Sequence, residues 1–257
     1  MSLFSNLGIG VLNLFGVWIL RFGVFRHRYD TRPDEMRKEE AANRVGLFGG
    51  TFNPIHLGHL RGAEEIREAF KLREVVFIPA AIPPHKTAEK VIDAGHRLEM
   101  VRLATATNPC FSTTDIELSR PGKSYSIDTL RYFLERLQDA LFFILGRDAF
   151  VEIESWKDFQ QLFSLCNFIV MTRPGIQRTP STPPLPGALI PGFRYDQEVK
   201  AWVHTSGHLL QYKEITYLDI SSTRVRDLIK KGESVRYLIP PEVEAYIRQH
   251  GLYRNGS

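Results

Sequence analysis

The sequence predicts a single α/β domain built on a doubly wound parallel sheet with helices on both faces. Three observations carry this reading. The apolar runs "RVGLF" (44–48), "EVVFIPA" (74–80), "LFFILG" (141–146) and "NFIVMT" (167–172) lack the alternation of a half-exposed strand, so each reads as buried on both sides. Helix-length stretches separate most of these runs, as parallel pairing requires. The first run ends in Gly49-Gly50 and leads into a helix, the kind of junction where such sheets bind ligands. A chain of 257 residues with 43% apolar content can bury the core this needs.

In chain order, strand 44–48 is followed by a helix over 58–70 and strand 74–80 by a helix over 96–107. A weaker strand, "CFSTTDIEL" (110–118), precedes a helix over 126–138. Strands 141–146 and 167–172 follow, and helices over 222–231 and 241–250 complete the pattern. The segment from Arg173 to about Gly207, with its "RPGIQRTPSTPPLPGALIPG", is rich in Pro, Gly, Ser and Thr and is expected to be a loop or insertion. No internal repeat is visible.

The domain is expected over residues 44–254, with residues 1–43 an extension outside the catalytic fold. Within that extension "LGIGVLNLFGVWILRFGVF" (7–25) is strongly apolar, yet its uninterrupted part, Leu14 to Leu20, is too short to span a bilayer. No basic residue precedes it, so a secretory signal fits poorly and no firm membrane partner is expected. An interfacial anchor remains the alternative. Met36 is a sensible start just ahead of the first strand.

The net charge of +4 and pI of about 9.1 suit an anionic ligand without demanding one. No aromatic RNA-binding signature, zinc-finger spacing or basic block points to nucleic acid. The two cysteines, Cys110 and Cys166, are far apart and read as reduced thiols in a cytoplasmic protein, with Cys166 buried. Monomer and homo-oligomer are equally compatible with the sequence.

The stretch "GLFGGTFNPIHLGHL" (46–60) carries the first motif. Gly49 and Gly50, lacking Cβ atoms, let backbone approach a phosphate, and Thr51 adds a hydroxyl donor. His56 and His59, three apart at a helix entrance, face the same side and can stabilise growing negative charge. As a metal site the pair falls short, since zinc needs at least three protein ligands and no partner is spaced for it. Capping or packing histidines are the other alternative. Downstream, "ISSTRVR" (220–226) opens a helix at which Ser222 or Thr223 can cap and the first-turn N–H groups form a second anion site, with Arg226 one turn in. Asp148 in "GRDA" (146–149) follows the strand "LFFILG", where it can cap a helix.

Together these motifs resemble the nucleotidylyltransferase superfamily, with its T/HxGH and ISSTxxR elements, and hence a Rossmann-like fold. The resemblance assigns ATP to Gly49, Gly50, Thr51 and Phe52, to Gly146 and Asp148, and to Ile220, Ser221, Ser222 and Thr223. "IPPHK" (82–86), "HRLEM" (96–100), "GKSYSIDTL" (122–130), "ESWKDFQQLF" (154–163) and "YLIPPEVEAYIRQHGLYR" (237–254) are similar to bacterial nicotinate-nucleotide adenylyltransferases.

That likeness implies adenylyl transfer from ATP, carried with Mg²⁺, to nicotinate mononucleotide. His56, His59 and Arg226 would be the catalytic contacts, and Lys86 would hold the incoming phosphate. Trp156 would stack on the ring, while Ser126 and backbone near Tyr125 and Lys157 would meet its carboxylate, with no opposing acid. No protein-bound metal is implied. The family more often has threonine at 126. At 53 this chain has asparagine where many relatives have aspartate, a feature shared with nicotinamide enzymes. A dual-specificity or nicotinamide-preferring enzyme, or a nucleotide-binding regulator without chemistry, are the alternatives.

Overall fold

The computed structural model describes residues 43–83, 91–174 and 184–254. The expectations for residues 1–42 and for Lys86 lie outside the described residues.

Eight strands form one sheet: β1 (Arg44–Gly50), β2 (Glu74–Pro79), β3 (Phe111–Thr113), β4 (Ala140–Gly146), β5 (Asn167–Thr172), β6 (Phe193–Asp196), β7 (Ala201–His204) and β8 (Leu209–Glu214). Their order is β3-β2-β1-β4-β5-β8-β7-β6. The first six in that order run parallel, and β7 and β6 extend the sheet antiparallel. The seven helices are α1 (Leu57–Phe70), α2 (Ala94–Thr105), α3 (Ser126–Leu134), α4 (Arg147–Val151), α5 (Phe159–Leu162), α6 (Ser222–Lys231) and α7 (Pro241–Gln249).

The apolar runs divide by the period of two that strand geometry imposes. Phe48, Phe77, Phe142, Ile144 and Ile169 face one way and pack on Ala63 and Ile66 of α1, Met100 and Val101 of α2, Val225 of α6 and Ile247 of α7. Val45, Leu47, Ile78, Phe143, Leu145 and Val170 face the other way, against Ile127 and Leu130 of α3, Phe150 of α4 and Leu162 of α5. Both faces are covered, which is why these strands show no polar positions. Each fully buried aliphatic or phenyl side chain contributes about 1.5–3 kcal/mol.

Element ends differ from the sequence expectation for local reasons. Helix α2 begins at Ala94 because the Asp93 carboxylate caps it, accepting from Gly95 N at 2.8 Å. Strand β3 stops at Thr113, and the chain turns where Leu118 N and Ser119 N donate to Asp115 O. Helix α3 ends at Leu134, four residues early, with Leu137 N donating back to Phe133 O before β4. Helix α6 closes on Gly232 at φ 72°, a left-handed position that suits glycine.

The expected loop at 173–207 needs correction. Its second half folds into a 3-10 turn (Gly187–Gly192) and the β6–β7 pair, with Tyr195 and Trp202 rings 5.3 Å apart across the strands. Four-residue strands give too short an alternation to stand out beside so many prolines and glycines. Strand β8 was likewise not anticipated.

Candidate active site

The site lies at the carboxyl ends of β1 and β4, where the strand order reverses, the expected place for a ligand in a doubly wound sheet. Two cavities open there. One of about 310 Å³ is lined by Gly49, Gly50, Thr51, Ala80, Glu117, Ser124, Tyr125, Ser126, Phe143, Gly146, Trp156 and Lys157, among others. The other, about 350 Å³, is lined by His56, Gly58, His59, Gly146, Arg147, Asp148, Thr172, Arg173, Tyr217 and Ile220, among others. Gly146 borders both, so together they form one elongated site.

The histidines line the second cavity. His56 is the N-cap of α1 and His59 its third residue, and their rings stack with centroids 3.6 Å apart. The backbone N–H of His56 donates to His59 Nδ1 at 3.2 Å, which leaves the proton of a neutral His59 on Nε2. Burial pushes the His56 pKa down to about 4, so this ring is neutral at neutral pH until an anion arrives to raise it. Buried His56 Nδ1 and Thr172 Oγ1 lack a partner among the described residues, and both residues line the second cavity. Such orphaned groups are rare and fit a ligand site.

Glycine positions in the first motif have a steric reading. A Cβ on Gly58 would lie 3.1 Å from His56 Nδ1, so the glycine is what lets the imidazole lie over the helix start. A Cβ on Gly50 would lie 2.8 Å from the Phe52 ring. Gly50 is therefore required by packing as well as by approach to a phosphate, whereas a Cβ on Gly49 would meet Phe143 at an ordinary 3.5 Å. Phe52 itself is a correction. Its backbone is left-handed (φ 47°), and its ring is buried against Phe48, Phe77 and His59 instead of lining either cavity.

The second motif reaches the first directly. Arg226 Nη1 donates to Asn53 O at 2.7 Å, and Ser222 Oγ donates to Pro54 O at 2.8 Å. Arg226 Nη2 also bonds Thr223 Oγ1 at 3.2 Å, so the guanidinium is held by protein with donors to spare. Ser221, not Ser222 or Thr223, is the cap. Its extended backbone points Oγ at Arg224 N, 3.2 Å away, while Ser222 is already helical. Asn53 is buried, with Oδ1 accepting from Tyr253 OH at 2.9 Å, and it lines neither cavity, so it ties the loop to the segment after α7.

Around the first cavity, Trp156 meets Phe143 edge-on and Lys157 Nζ sits 4.7 Å over the Tyr125 ring. Tyr125 is the N-cap residue of α3, with Ser126 opening its first turn. The likeness implied no acid opposing the ring's carboxylate; Glu117 and Glu152 both line this cavity. Asp148 is exposed in the first turn of α4. It caps nothing there, since the N-cap is Gly146, and it pairs with Arg173 at 3.7 Å. Arg173 lies over the Tyr217 ring at 4.7 Å. Sequence reasoning missed Glu117, Arg173 and Tyr217. It also gave Arg97 no role, although the "HRLEM" segment flagged its place. Among the described residues no three His, Cys, Asp or Glu are grouped to hold a metal ion, and no helix is long and apolar enough to cross a membrane.

A family profile described as cytidylyltransferase-like matches residues 47–228. Two similar relatives, from Geotalea daltonii and Geobacter metallireducens, are 47% and 48% identical over 214 and 211 residues. The matches cover 83% and 82% of this chain and 99% and 98% of theirs, and both proteins are named "Probable nicotinate-nucleotide adenylyltransferase". The chain belongs to the nicotinate-nucleotide adenylyltransferase family. The fold agrees with that membership. The nicotinic acid mononucleotide adenylyltransferase of Plasmodium falciparum, solved in complex with NaAD, superposes with a TM-score of 0.62 at 19% identity, covering 82% of this chain and 97% of its own.

Proposed function

We propose that the protein transfers the adenylyl group of ATP to nicotinate mononucleotide, giving nicotinate adenine dinucleotide and pyrophosphate, as a step of NAD biosynthesis. The observation that carries the reading is the joining of the two motifs. Arg226 and Ser222 hydrogen-bond the carbonyls of Asn53 and Pro54, which brings the α6 N-terminus beside the β1–α1 loop and its stacked histidines.

In this reading the second cavity takes ATP, with Asp148 and Ile220 near the nucleoside and the Ser221–Thr223 turn and Arg226 on the departing pyrophosphate. The first cavity takes the pyridine ring against Trp156, with Ser126 and backbone near Tyr125 and Lys157 on its carboxylate. The nucleophile is a phosphate monoester with a second pKa near 6, already largely dianionic at neutral pH, so no general base is needed. Its oxygen attacks the α-phosphorus in line as the bond to pyrophosphate breaks. His59 Nε2–H and His56 stabilise the charge on the transferring phosphoryl, and the rest is positioning. Mg²⁺ enters with ATP and neutralises phosphate charge. Buried, unpaired Cys166 suits a reducing cytoplasm.

The test is product identity. Incubation with ATP, Mg²⁺ and nicotinate mononucleotide should yield a species with the mass of the dinucleotide. Its absence, with both substrates recovered, would overturn the reading.

A further inference from the structure

The "HRLEM" segment buries an arginine. Arg97 is 1% exposed, the largest fully buried side chain among the described residues. Its guanidinium is spent on backbone carbonyls: Nη1 donates to Thr51 O at 2.9 Å and Ala80 O at 2.6 Å, Nη2 to Ala81 O at 2.9 Å, and Nε to Ile92 O at 3.0 Å. One side chain thus ties the end of the β1 loop to the end of β2. A carbonyl bonded to a cation polarises its peptide, which strengthens the N–H on the other side. For the Ala80–Ala81 peptide that N–H belongs to Ala81, and it donates to Ser124 Oγ at 2.8 Å.

Near Ser124 lies a buried acid. Burial pushes the Glu117 carboxyl up, the Thr129 and Ser124 hydroxyls work against that, and Thr129 Oγ1 donates to Glu117 Oε1 at 2.7 Å. Arg120 Nη2 donates to the Thr129 hydroxyl and lies 4.0 Å from Glu117 Oε1. The carboxyl therefore has a hydroxyl donor in Thr129, a second hydroxyl nearby in Ser124 and a guanidinium beyond, where a lone buried acid would be costly. Ala80, Glu117, Ser124 and Thr129 all line the first cavity. Between Ser124 and Thr129 lie Tyr125 and Ser126.

We propose that Arg97 and Glu117 are positioning residues for the pyridine-nucleotide subsite: through Ala80–Ala81, Ser124 and Thr129 they lock the Ser124–Ser126 segment in the geometry that meets an anionic aromatic ring. This rests on the activity assigned above. Neither residue touches the reacting atoms. Arg97 fixes one flank of the segment through Ala80–Ala81, Glu117 holds Thr129 beyond the other, and the loss of either loosens the donors; neither residue lines the second cavity.

The test is steady-state kinetics of Glu117→Gln, Thr129→Val, Arg97→Lys and the Arg97→Lys/Glu117→Gln pair, with both substrates varied. A glutamine puts an NH₂ donor where one carboxylate oxygen was, and a lysine cannot span four carbonyls. Each single variant should raise KM for nicotinate mononucleotide about tenfold while KM for ATP and kcat stay within about threefold. The double variant should be no worse than the poorer single, because the residues act as one network. Thr129→Val removes only a hydroxyl, so it reads the network even if a charged variant folds poorly.

A KM for nicotinate mononucleotide within about twofold of wild type in the folded variants, or equal rises in both KM values, would overturn the inference while leaving the activity standing. Failure of the wild-type protein to turn over nicotinate mononucleotide at all would overturn the assigned activity, and the inference with it.

Discussion

The imidazoles of His56 and His59 stack at 3.6 Å between centroids, and the backbone N–H of the first donates to Nδ1 of the second. The pair is a built feature of the α1 entrance: one residue caps the helix, the other is oriented by the cap's own backbone. With Nδ1 accepting, the donor nitrogen of His59 is Nε2, and the residue lines the second cavity.

Replacing His59 with alanine removes that donor. Turnover should fall about 100-fold or more, within the usual range for such groups. Circular dichroism should show the same helix and strand content, since the cap carbonyl still accepts from residue 59 at 2.9 Å. Unchanged turnover would contradict the place given to His59.

His56 sets a pH dependence of stability. Its pKa is about 4 in the folded protein against 6.5 when solvated, so the unfolded chain binds the proton more readily. Stability is full above about pH 6.5 and declines as pH falls toward 4, by about 3 kcal/mol for this one group at most. Thermal melts between pH 7 and 4 should show this acid-side loss, and His56→Gln should show less of it. Equal acid sensitivity in the two proteins would mean that other groups account for the loss.

Gly58 is the cheapest place to disturb the site without touching a functional group. The added methyl of Gly58→Ala would press on the His56 ring at 3.1 Å, while the helix itself would gain from alanine. Turnover should drop at least about tenfold with little change in melting temperature, because the displaced group acts only in the transition state. A parallel loss of stability would show that the glycine serves packing alone.

The fold was legible because burial on both sheet faces leaves strands without polar positions, as in "LFFILG" and "NFIVMT". Both motifs of the candidate site were legible because glycine, histidine and serine stand at element junctions. What sequence could not give was the partner of each group. Arg97 looks like any arginine on a helix until four carbonyls are seen around it, and Glu117 sits in a stretch whose strand signal is weak. Asn53 takes its side-chain partner from 200 residues away, with Oδ1 accepting from Tyr253 OH. Such long-range pairings leave no periodic trace.

Trp156 separates ring recognition from ATP binding. Stacking on an aromatic is worth about 1–3 kcal/mol, so Trp156→Ala should raise KM for nicotinate mononucleotide about 5- to 150-fold and leave KM for ATP nearly unchanged. Initial rates with each substrate varied in turn check this. An equal rise in both would place Trp156 outside the ring subsite.

The most direct test of the assigned activity is pyrophosphate release with ATP and Mg²⁺, compared for nicotinate mononucleotide, nicotinamide mononucleotide and phosphopantetheine as acceptors. The account predicts the highest kcat/KM with nicotinate mononucleotide and none with phosphopantetheine. Release favouring the nicotinamide nucleotide, or no release with any acceptor, would contradict it.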